Sequence, residues 1–324
     1  MELYPLKFSP QFNYRIWGGD KLKTVLNKDY NDDSIGESWE ISDVENNETL
    51  VQNGALKGLS LKQLIEKFKG EFVGKKVYAS FGNDFPLLIK FIDAKTPLSI
   101  QVHPDNETSK QRHNSFGKNE MWYVMDADKD AELIVGFEKE IEKSAYQTHI
   151  ENNTLLDVLH HEKVAEGDTY YIPTGRVHAI GAGVLLAEIQ QTSDITYRIY
   201  DYNRVDSKTG KKRDLHVDMA LDVIDFSVQE EYKSLYTKKE NVSNKLVHSP
   251  YFKTNFIKFN GNTELDYASV DSFVIYICVK GSMEISSNSN KETLQKGQCL
   301  LFPAVTEQVK ISAGEEAHVL EVFL

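Results

Sequence analysis

Two segments of the chain share one spacing of glycine and proline, and this repeat constrains the fold more than any other feature. In each segment five residues separate a glycine from a proline: Gly167 and Pro173 in the first, Gly297 and Pro303 in the second. Only the first segment continues with a glycine two residues on and a histidine, His178, three beyond that. Glycine allows a tight turn, the apolar run forms a strand, and Pro-x-Gly bends the chain so that the histidine points inward.

The longer pattern G-x5-P-x-G-x2-H at 167–178 resembles the second motif of the cupin superfamily. In the second copy Val305 and Gln308 stand where the glycine and the histidine would be. We therefore expect a mainly β protein made of two cupin (jelly-roll-like β-barrel) domains with a few short helices. Residues 1–240 form the metal-binding catalytic domain with helical elements, and 241–324 form a degenerate cupin domain without a metal site.

Short β-rich runs support this fold along most of the chain. From residue 85 these runs recur, separated by the turn residues Gly, Pro and Asp, as in FPLLIKFIDAK, PLSIQVHP and GVLLAEIQQ. Regular short strands with such turn residues are typical of a sandwich or barrel. A second cluster of strands begins at 246, and the polar stretch 230–245 marks the junction between the two.

Three segments show helical rather than strand periodicity. In 59–74 apolar residues recur at helical spacing, and Ser60 is a suitable N-cap. The segment 140–161 is helical in pattern but is broken by two asparagines, and its last two residues are histidines that we expect to be a solvated pair at a helix end. A third helical pattern covers 215–226, after a charged loop.

The composition excludes several classes of protein. With 37 Lys and Arg against 49 Asp and Glu, the formal net charge is −12, which disfavours non-specific nucleic-acid binding. No apolar segment approaches the roughly 20 residues that cross a bilayer, and the N-terminus lacks the features of a signal peptide. Cys278 and Cys299 both lie in apolar runs, as buried thiols do in a reducing compartment. We expect a cytoplasmic protein without nucleic-acid or membrane partners.

Four residues form a candidate metal-binding set. Gln101 and His103 are two apart in a strand-like run, so both can lie on one face of the strand. Glu120 begins the next β-rich run, and His178 closes the cupin-like motif. Each of these residues alone is more often structural or solvent-exposed. Together they supply two imidazoles, one carboxylate and one amide, a combination that suits zinc or ferrous iron.

Long motifs connect the chain with a known family. These segments resemble the type I mannose-6-phosphate isomerases, most closely the short bacterial form, and they span almost the whole chain. The segments are LKFSPQFNYRIWGGDKL, PLSIQVHPD, GKNEMWYV, PTGRVHAIGAG, LLAEIQQTSDITYRIYDYNR and DLHVDMALDVID. The large helical insertion of long family members has no room here, and IYDYNR departs from the long forms after the family's arginine, so contacts from those regions cannot be transferred.

The resemblance implies specific roles for individual residues. It implies one zinc ion per chain, bound by the four-residue set. The family's active-site arginine corresponds to Arg198, a lysine near the glutamate ligand to Lys118, and a further glutamate to Glu188. The implied reaction interconverts mannose 6-phosphate and fructose 6-phosphate by moving a proton between C2 and C1, through a cis-enediol. Gln101 is neutral, so the zinc site would keep a net positive charge.

Several assignments stay open from the sequence alone. Arg198 can stabilise the enediolate or clamp the phosphate, and its alternative is an ion pair with Asp194 or Asp201. Either Lys118 or Glu188 can be the general base. The residues considered for the phosphate and the sugar are Ser99, Lys95, Arg15, Arg204, Trp17 and Trp39, of which Ser99, Lys95 and Trp17 are the substrate-binding prediction.

Three other functions compete with the isomerase. A cupin oxygenase would use ferrous iron on two histidines and one carboxylate, but Gln101 and the segment around Arg198 argue against it. A sugar-binding cupin without turnover would not need Lys118, Glu188 and Arg198 around the ligands. An isomerase adapted to another sugar phosphate is not excluded by the sequence. The expected partner is a small sugar phosphate, and the protein is expected to be a monomer or a small homo-oligomer.

Overall fold

The computed structural model describes residues 2–288 and 290–324, in which β-strands predominate. Strands of the N-terminal part are β1 (Phe8–Ser9), β2 (Gln11–Gly19), β3 (Ile35–Ile41), β4 (Leu50–Val51), β5 (Leu87–Ala94), β6 (Ile100–Val102), β7 (Glu120–Ala127), β8 (Glu132–Phe137), β9 (Leu159–Lys163), β10 (Thr169–Ile172), β11 (His178–Ile180), β12 (Val184–Gln191) and β13 (Tyr197–Tyr200). Strands of the C-terminal part are β14 (Asn244–His248), β15 (Lys253–Asp266), β16 (Val274–Lys280), β17 (Ser282–Ser287), β18 (Asn290–Gln295), β19 (Cys299–Phe302) and β20 (Gln308–Phe323).

The N-terminal part consists mainly of two antiparallel sheets that share an apolar core. One sheet has the strand order β10-β7-β12-β5-β2-β3, and the other has the order β13-β6-β11-β8-β9. Side chains from both sheets meet in one buried cluster that includes Ile92, Val124, Leu133, Val135 and Ile180. The metal-binding set predicted from the sequence lies on these two sheets.

The C-terminal part forms its own sheet, with the order β14-β15-β20-β16-β19 and the hairpin β17–β18 attached to β20. Its interior is a separate apolar cluster that includes Ile257, Phe259, Tyr276, Phe302 and Val319. The prediction of a mainly β protein with cupin domains is confirmed, although the sheets do not close into complete barrels.

The two parts also share a core. A large buried cluster joins Leu6 and Phe72 from the N-terminal part to Leu301 and Leu320 from the C-terminal part. The backbone of Leu6 exchanges two hydrogen bonds with that of Leu301, at 2.8 and 2.9 Å. The N-terminal segment therefore ties the two parts together, and the domain boundary at 240 stays a prediction.

Helices are few and short, as the sequence predicted. They are α1 (Lys21–Thr24), α2 (Leu61–Phe68), α3 (Gly70–Val73), α4 (Lys75–Phe81), α5 (Asn106–His113), α6 (Lys143–Glu151) and α7 (Val217–Leu221), together with two 3-10 helices, Gly54–Leu56 and Leu155–Val158. No helix among the described residues has both the length and the apolar character needed to cross a membrane.

The predicted helix over 59–74 begins as expected and is then interrupted. The hydroxyl of Ser60 accepts a hydrogen bond from the backbone N–H of Gln63, whose side chain accepts one in return, so α2 starts with a capping box. Lys69 adopts a φ of 51°, outside the helical region, and separates α2 from α3.

The other two helical predictions need correction. Helix α6 ends at Glu151, and after the 3-10 turn the chain enters strand β9, so His160 and His161 lie on a strand and not at a helix end. His160 faces carboxylates on both sides, with Glu138 2.7 Å from Nδ1 and Glu162 3.0 Å from Nε2. Strand β9 is at the edge of its sheet, and side chains that alternate between the two faces of a strand allow polar residues such as these to reach solvent. Within 215–226 only α7 is helical.

Candidate active site

The candidate metal ligands come together from the two sheets of the N-terminal part. On neighbouring strands β6 and β11, Gln101 lies directly opposite His178, while Glu120 is the first residue of β7 in the other sheet. His103 follows the end of β6. Gly175 has a φ of 85°, and an added Cβ there would lie 2.9 Å from a backbone oxygen, so the turn before His178 requires glycine.

The polar atoms of this set converge at one buried point. The Nε2 atoms of His103 and His178 are 3.1 Å apart, and the Nε2 atom of Gln101 lies 3.3 Å from that of His178. The carboxylate of Glu120 lies 3.4 Å from His178 Nε2 through Oε1 and 3.6 Å from His103 Nε2 through Oε2. The two histidines and the glutamate are fully buried.

Backbone carbonyls orient both imidazole rings. The Nδ1–H of His103 donates to the carbonyl oxygen of Ile195 at 2.9 Å, and the Nδ1–H of His178 donates to that of Arg176 at 2.8 Å. Each ring therefore presents the lone pair of Nε2 toward the other. Burial lowers the pKa of both histidines, to about 3 for His178, so both rings are neutral.

The arrangement fits a divalent metal ion. The two Nε2 lone pairs face each other at 3.1 Å, and the carboxylate of Glu120 faces them with Lys118 Nζ 3.0 Å from its Oε2. Buried polar groups normally have partners, so this cluster has the character of a ligand set. His103, Glu120 and His178 offer ligand atoms within 4.8 Å of one another. The amide of Gln101 could contribute its oxygen after rotation by half a turn.

Lys118 lies against this set as a cation. Its Nζ is 3.0 Å from Glu120 Oε2 and 3.3 Å from His103 Nε2. Burial acts to lower the pKa of Lys118, but the charges of Glu120 and Glu188 outweigh it and raise the pKa. The ammonium form is therefore favoured, whereas a lysine acting as a base needs a depressed pKa.

Glu188 belongs to a row of residues that lie directly opposite one another across four strands. The row runs Trp39, Lys90, Glu188 and Trp122. One oxygen of Glu188 lies 3.2 Å from Lys90 Nζ, and the other accepts a hydrogen bond from Trp122 Nε1 at 3.0 Å. Burial acts to raise the pKa of Glu188, but the charges of Lys118 and Lys90 outweigh it and lower the pKa. The buried group is thus a carboxylate held in a fixed orientation.

A cavity of about 430 Å³ opens beside these residues. Of the residues predicted from the sequence, those in its wall are Arg15, Trp17, Trp39, Ser99, Gln101, Lys118, Glu188 and Arg198. Lys95 is exposed and lies outside this wall, and Arg204 is also absent from it. Trp17 has two roles, because it also packs in the apolar core between the sheets.

Arg198 lies next to the ligand set on strand β13, directly opposite Gln101 on β6. Its Nη1 donates to the backbone carbonyl of Asp214 at 2.8 Å. Within residues 2–288 and 290–324 it forms no ion pair, so neither alternative partner considered for it, Asp194 or Asp201, fills that role. Asp201 instead binds the guanidinium groups of Arg204 and Arg213.

Sequence reasoning missed several residues of the cavity wall. They are Tyr14, Glu37, Lys90, Asp206 and Arg213, while Asp194, considered from the sequence as an ion-pair partner of Arg198, also lies in the wall. Lys90 had a usable signal, because it is the one charged residue inside the apolar run of β5 before Asp93. Glu37 is buried with Arg15 Nη2 at 2.8 Å and Trp39 Nε1 at 2.7 Å. Burial acts to raise its pKa, but the charges of Arg15 and Lys90 outweigh it and lower the pKa to about 2.

Family models match both parts of the chain. Residues 5–149 match the model of "Phosphomannose isomerase type I, catalytic domain", and residues 243–320 match that of "Mannose-6-phosphate isomerase, cupin domain". The chain is 34% identical over 326 residues to the mannose-6-phosphate isomerase ManA of Bacillus subtilis, covering 98% of this chain and 99% of that protein. It is 33% identical to the mannose-6-phosphate isomerase of Streptococcus mutans, covering 92% of each.

Comparison with solved structures leads to the same family. The crystal structure of the mannose 6-phosphate isomerase from Bacillus subtilis superimposes with a TM-score of 0.90 at 30% identity, covering 99% of this chain and 100% of that chain. A phosphomannose isomerase from Salmonella typhimurium gives a TM-score of 0.79 at 16% identity, covering 98% of this chain and 99% of that one, a similarity that concerns the fold alone.

Proposed function

Because the chain belongs to the type I mannose-6-phosphate isomerase family, an aldose–ketose isomerase family, we propose that it is a zinc-dependent enzyme acting through an enediol. Its substrates are mannose 6-phosphate and fructose 6-phosphate. One observation carries the proposal. The buried ligand atoms of His103, Glu120 and His178 lie within 4.8 Å of one another, beside the cavity whose wall includes Lys118 and Glu188.

The metal would be held by the two histidines, Glu120 and the amide of Gln101. Two imidazoles and a carboxylate suit zinc, which has no redox chemistry and so favours proton transfer over oxygen chemistry. When bound, zinc supplies a Lewis acid that stabilises negative charge on the substrate's oxygens. With Gln101 neutral, Glu120 is the one anionic residue in the set, so the centre keeps a net positive charge.

Glu188 is the residue that we propose moves the proton. It takes a proton from C2 of the aldose and returns it to C1, while the hydroxyl proton of O2 passes to O1, so that the C1 carbonyl becomes a hydroxyl and C2 becomes the carbonyl of the ketose. Lys90 and Trp122 orient its two oxygens, and its carboxylate lies in the cavity wall. Lys118, the alternative base, contacts Glu120 and His103 and supplies positive charge near the enediolate. Arg198, opposite Gln101, adds a second cation on the same side.

The test is an assay of fructose 6-phosphate formed from mannose 6-phosphate, with metal analysis of the same protein. Chelation is expected to abolish activity, and zinc is expected to restore it at one ion per chain. Other sugar phosphates are tested in parallel. Activity that survives complete metal removal would contradict the zinc proposal, and turnover of a different sugar phosphate alone would contradict the substrate assignment.

The setting that we propose for the enzyme is the cytoplasm. Both cysteines are free and buried, which suits a reducing compartment. We also propose that it is a monomer or a small homo-oligomer, which native mass spectrometry would test directly.

A further inference from the structure

A charged loop, residues 203–213, forms one side of the cavity. Tyr14 on β2 donates a hydrogen bond from its hydroxyl to Asp206 Oδ1 at 3.0 Å, and Lys208 Nζ lies 3.7 Å from the centre of the same ring. The loop closes on itself because the backbone of Asp206 bonds to Lys211 and Gly210, at 2.9 and 2.7 Å. The loop is thus anchored to the sheet and contributes Asp206 and Arg213 to the cavity wall.

Arg213 is held in place by Asp201. Its Nε donates to Oδ2 at 2.9 Å and its Nη2 donates to Oδ1 at 2.6 Å, a two-point contact that fixes the guanidinium plane. Asp201 is buried and also accepts from Arg204. The third nitrogen of Arg213, Nη1, makes no hydrogen bond in the part of the chain that the structure describes. The guanidinium of Arg213 is therefore fixed before any ligand binds, and the N–H groups of its Nη1 are available to a ligand.

Most cations of the cavity are neutralised by a neighbour. Three of them face one carboxylate each, in the pairs Arg15–Glu37, Lys90–Glu188 and Lys118–Glu120. Around Asp201 positive charge exceeds negative charge, because this one carboxylate pairs with the guanidinium groups of both Arg204 and Arg213. Arg198 has no ion pair among the described residues.

The remaining acidic side chains do not restore this balance. Asp206 accepts from Tyr14 and from the backbone of its own loop, while Asp194 and Asp214 are exposed. Burial lowers the pKa of Arg198, and the charge of Arg213 acts in the same direction. Like charges held together cost free energy, which a bound anion offsets.

We propose that Arg213 recognises the phosphate group of the sugar phosphate and is a specificity-determining residue of this enzyme, an inference that rests on the proposed function. A guanidinium with unused N–H donors matches the oxygens of a phosphate dianion. Arg204 is less suitable, because it donates to Pro97, Thr96 and Asp201 and lies outside the wall. Arg198 lies opposite Gln101 beside the ligand set, whereas Arg213 is a separate cation of the same cavity wall whose Nη1 has no hydrogen-bond acceptor among the described residues.

The experiment compares Arg213→Ala with Lys212→Ala, a neighbouring exposed cation that lies outside the cavity wall and whose Nζ donates to Asn203. Loss of a charged hydrogen bond to phosphate corresponds to about 10- to 100-fold, so the KM for mannose 6-phosphate should rise by that factor in Arg213→Ala and stay unchanged in Lys212→Ala. The kcat/KM for unphosphorylated mannose, which carries no phosphate for Arg213 to bind, should be equal in both variants. Arg213→Lys, which keeps the charge but loses the fork, should fall between wild type and Arg213→Ala.

A second readout separates this proposal from the proposed function. Inorganic phosphate is titrated into the metal-loaded protein by calorimetry, which needs no turnover. Weaker binding to Arg213→Ala than to wild type supports the proposal even if mannose 6-phosphate is not a substrate. The proposal is overturned if KM and phosphate affinity are unchanged in Arg213→Ala, or if phosphate affinity falls only on metal removal. Equal melting temperature and metal content confirm that the variant is folded.

Discussion

The two copies of the glycine–proline repeat have the same local structure but lie in different surroundings. Gly167 and Gly297 have φ angles of 92° and 83°, and each lies two residues before a strand that ends just before a proline. In both copies the residue three after the proline bonds back to its carbonyl, at 3.2 Å from Arg176 and 2.9 Å from Thr306. Yet His178 is fully buried, whereas Gln308 at the equivalent position is exposed.

The difference comes from what packs around each copy. Strand β11, which begins at His178, lies between β6 and β8 and faces a second sheet. Gln308 begins the long strand β20 opposite Asp266, with its side chain in solvent. Gly175 also has a left-handed φ of 85°, and Val305 does not. A repeated turn therefore yields a functional position only where neighbouring strands enclose it.

The buried carboxylates of the two parts make the same contrast. In the C-terminal part Glu321 accepts hydrogen bonds from Tyr267 and from Asn255, the latter at 2.7 Å, so both oxygens are satisfied. In the N-terminal part Glu120 lies 3.0 Å from Lys118 Nζ through Oε2, and its two oxygens also face the Nε2 atoms of His103 and His178. A carboxylate satisfied by hydroxyl and amide donors stabilises the fold, while one that faces two imidazole lone pairs is available to a metal ion.

The largest expected effect is that of His178→Ala, which removes the feature that distinguishes the first copy. Metal and activity should be lost together, because a Lewis acid supplies several kcal/mol, and turnover should fall about 1,000-fold or more. Elemental analysis and the isomerase assay measure the two losses. His161→Ala, on the edge strand β9, is the control and should change neither. Normal metal content and turnover in His178→Ala would remove the basis for the metal set.

Replacing Glu188 separates proton transfer from metal binding. Glu188→Gln keeps the shape and should retain the metal, but kcat should fall by about 10²- to 10⁴-fold because the base is lost. Lys118→Met is the comparison variant. If Lys118→Met instead shows the larger loss of kcat at full metal content, Lys118 is the base and the assignment of Glu188 is wrong.

Arg198→Ala tests the cation beside the ligand set. The protein should keep its metal, because the side chain donates to the backbone of Asp214 and to none of the four ligands. Loss of charge stabilisation should lower kcat/KM by about 100-fold, as for other lost donors in a buried site. Steady-state kinetics with metal analysis measure this, and an unchanged kcat/KM would leave Arg198 a structural role only.

The corresponding change in the C-terminal part should affect stability alone. Tyr267→Phe removes the hydrogen bond to Oε1 of Glu321, whose other oxygen keeps Asn255, and removes the partner of the Tyr276 hydroxyl, which should cost about 1–3 kcal/mol of unfolding free energy. Metal content and kcat/KM should equal those of wild type. Denaturant unfolding measures the first, and a loss of metal in this variant would show that the two parts are coupled.

The smallest expected effect is that of restoring the motif in the second copy. Val305→Gly with Gln308→His recreates the residue pattern of 167–178, but position 308 is exposed and begins the outer part of β20. We expect metal to stay at one ion per chain by elemental analysis. Two ions per chain would mean that the pattern alone builds a site.

Much of this protein could be read from local sequence. The turn glycines, the alternating strands, the cap at Ser60 and the metal-ligand pattern follow from properties of neighbouring residues, and the structure brings Gln101, His103, Glu120 and His178 to one point. Local periodicity was insufficient for His160 and His161, where an edge strand replaced the predicted helix. There the tertiary sheet pairing with β8 outweighed a helical pattern.

Only the tertiary structure decided which residues share the cavity. Arg198 lies beside Gln101 because β13 pairs with β6, although they are far apart in the chain, and Arg213 enters the wall because its loop is anchored on Tyr14 and Asp201. Such proximity depends on strand order and loop closure, which involve residues distant in sequence. The chain by itself therefore determined its repeats, its strands and the types of its ligands, while packing decided that one copy would be enclosed and the other exposed.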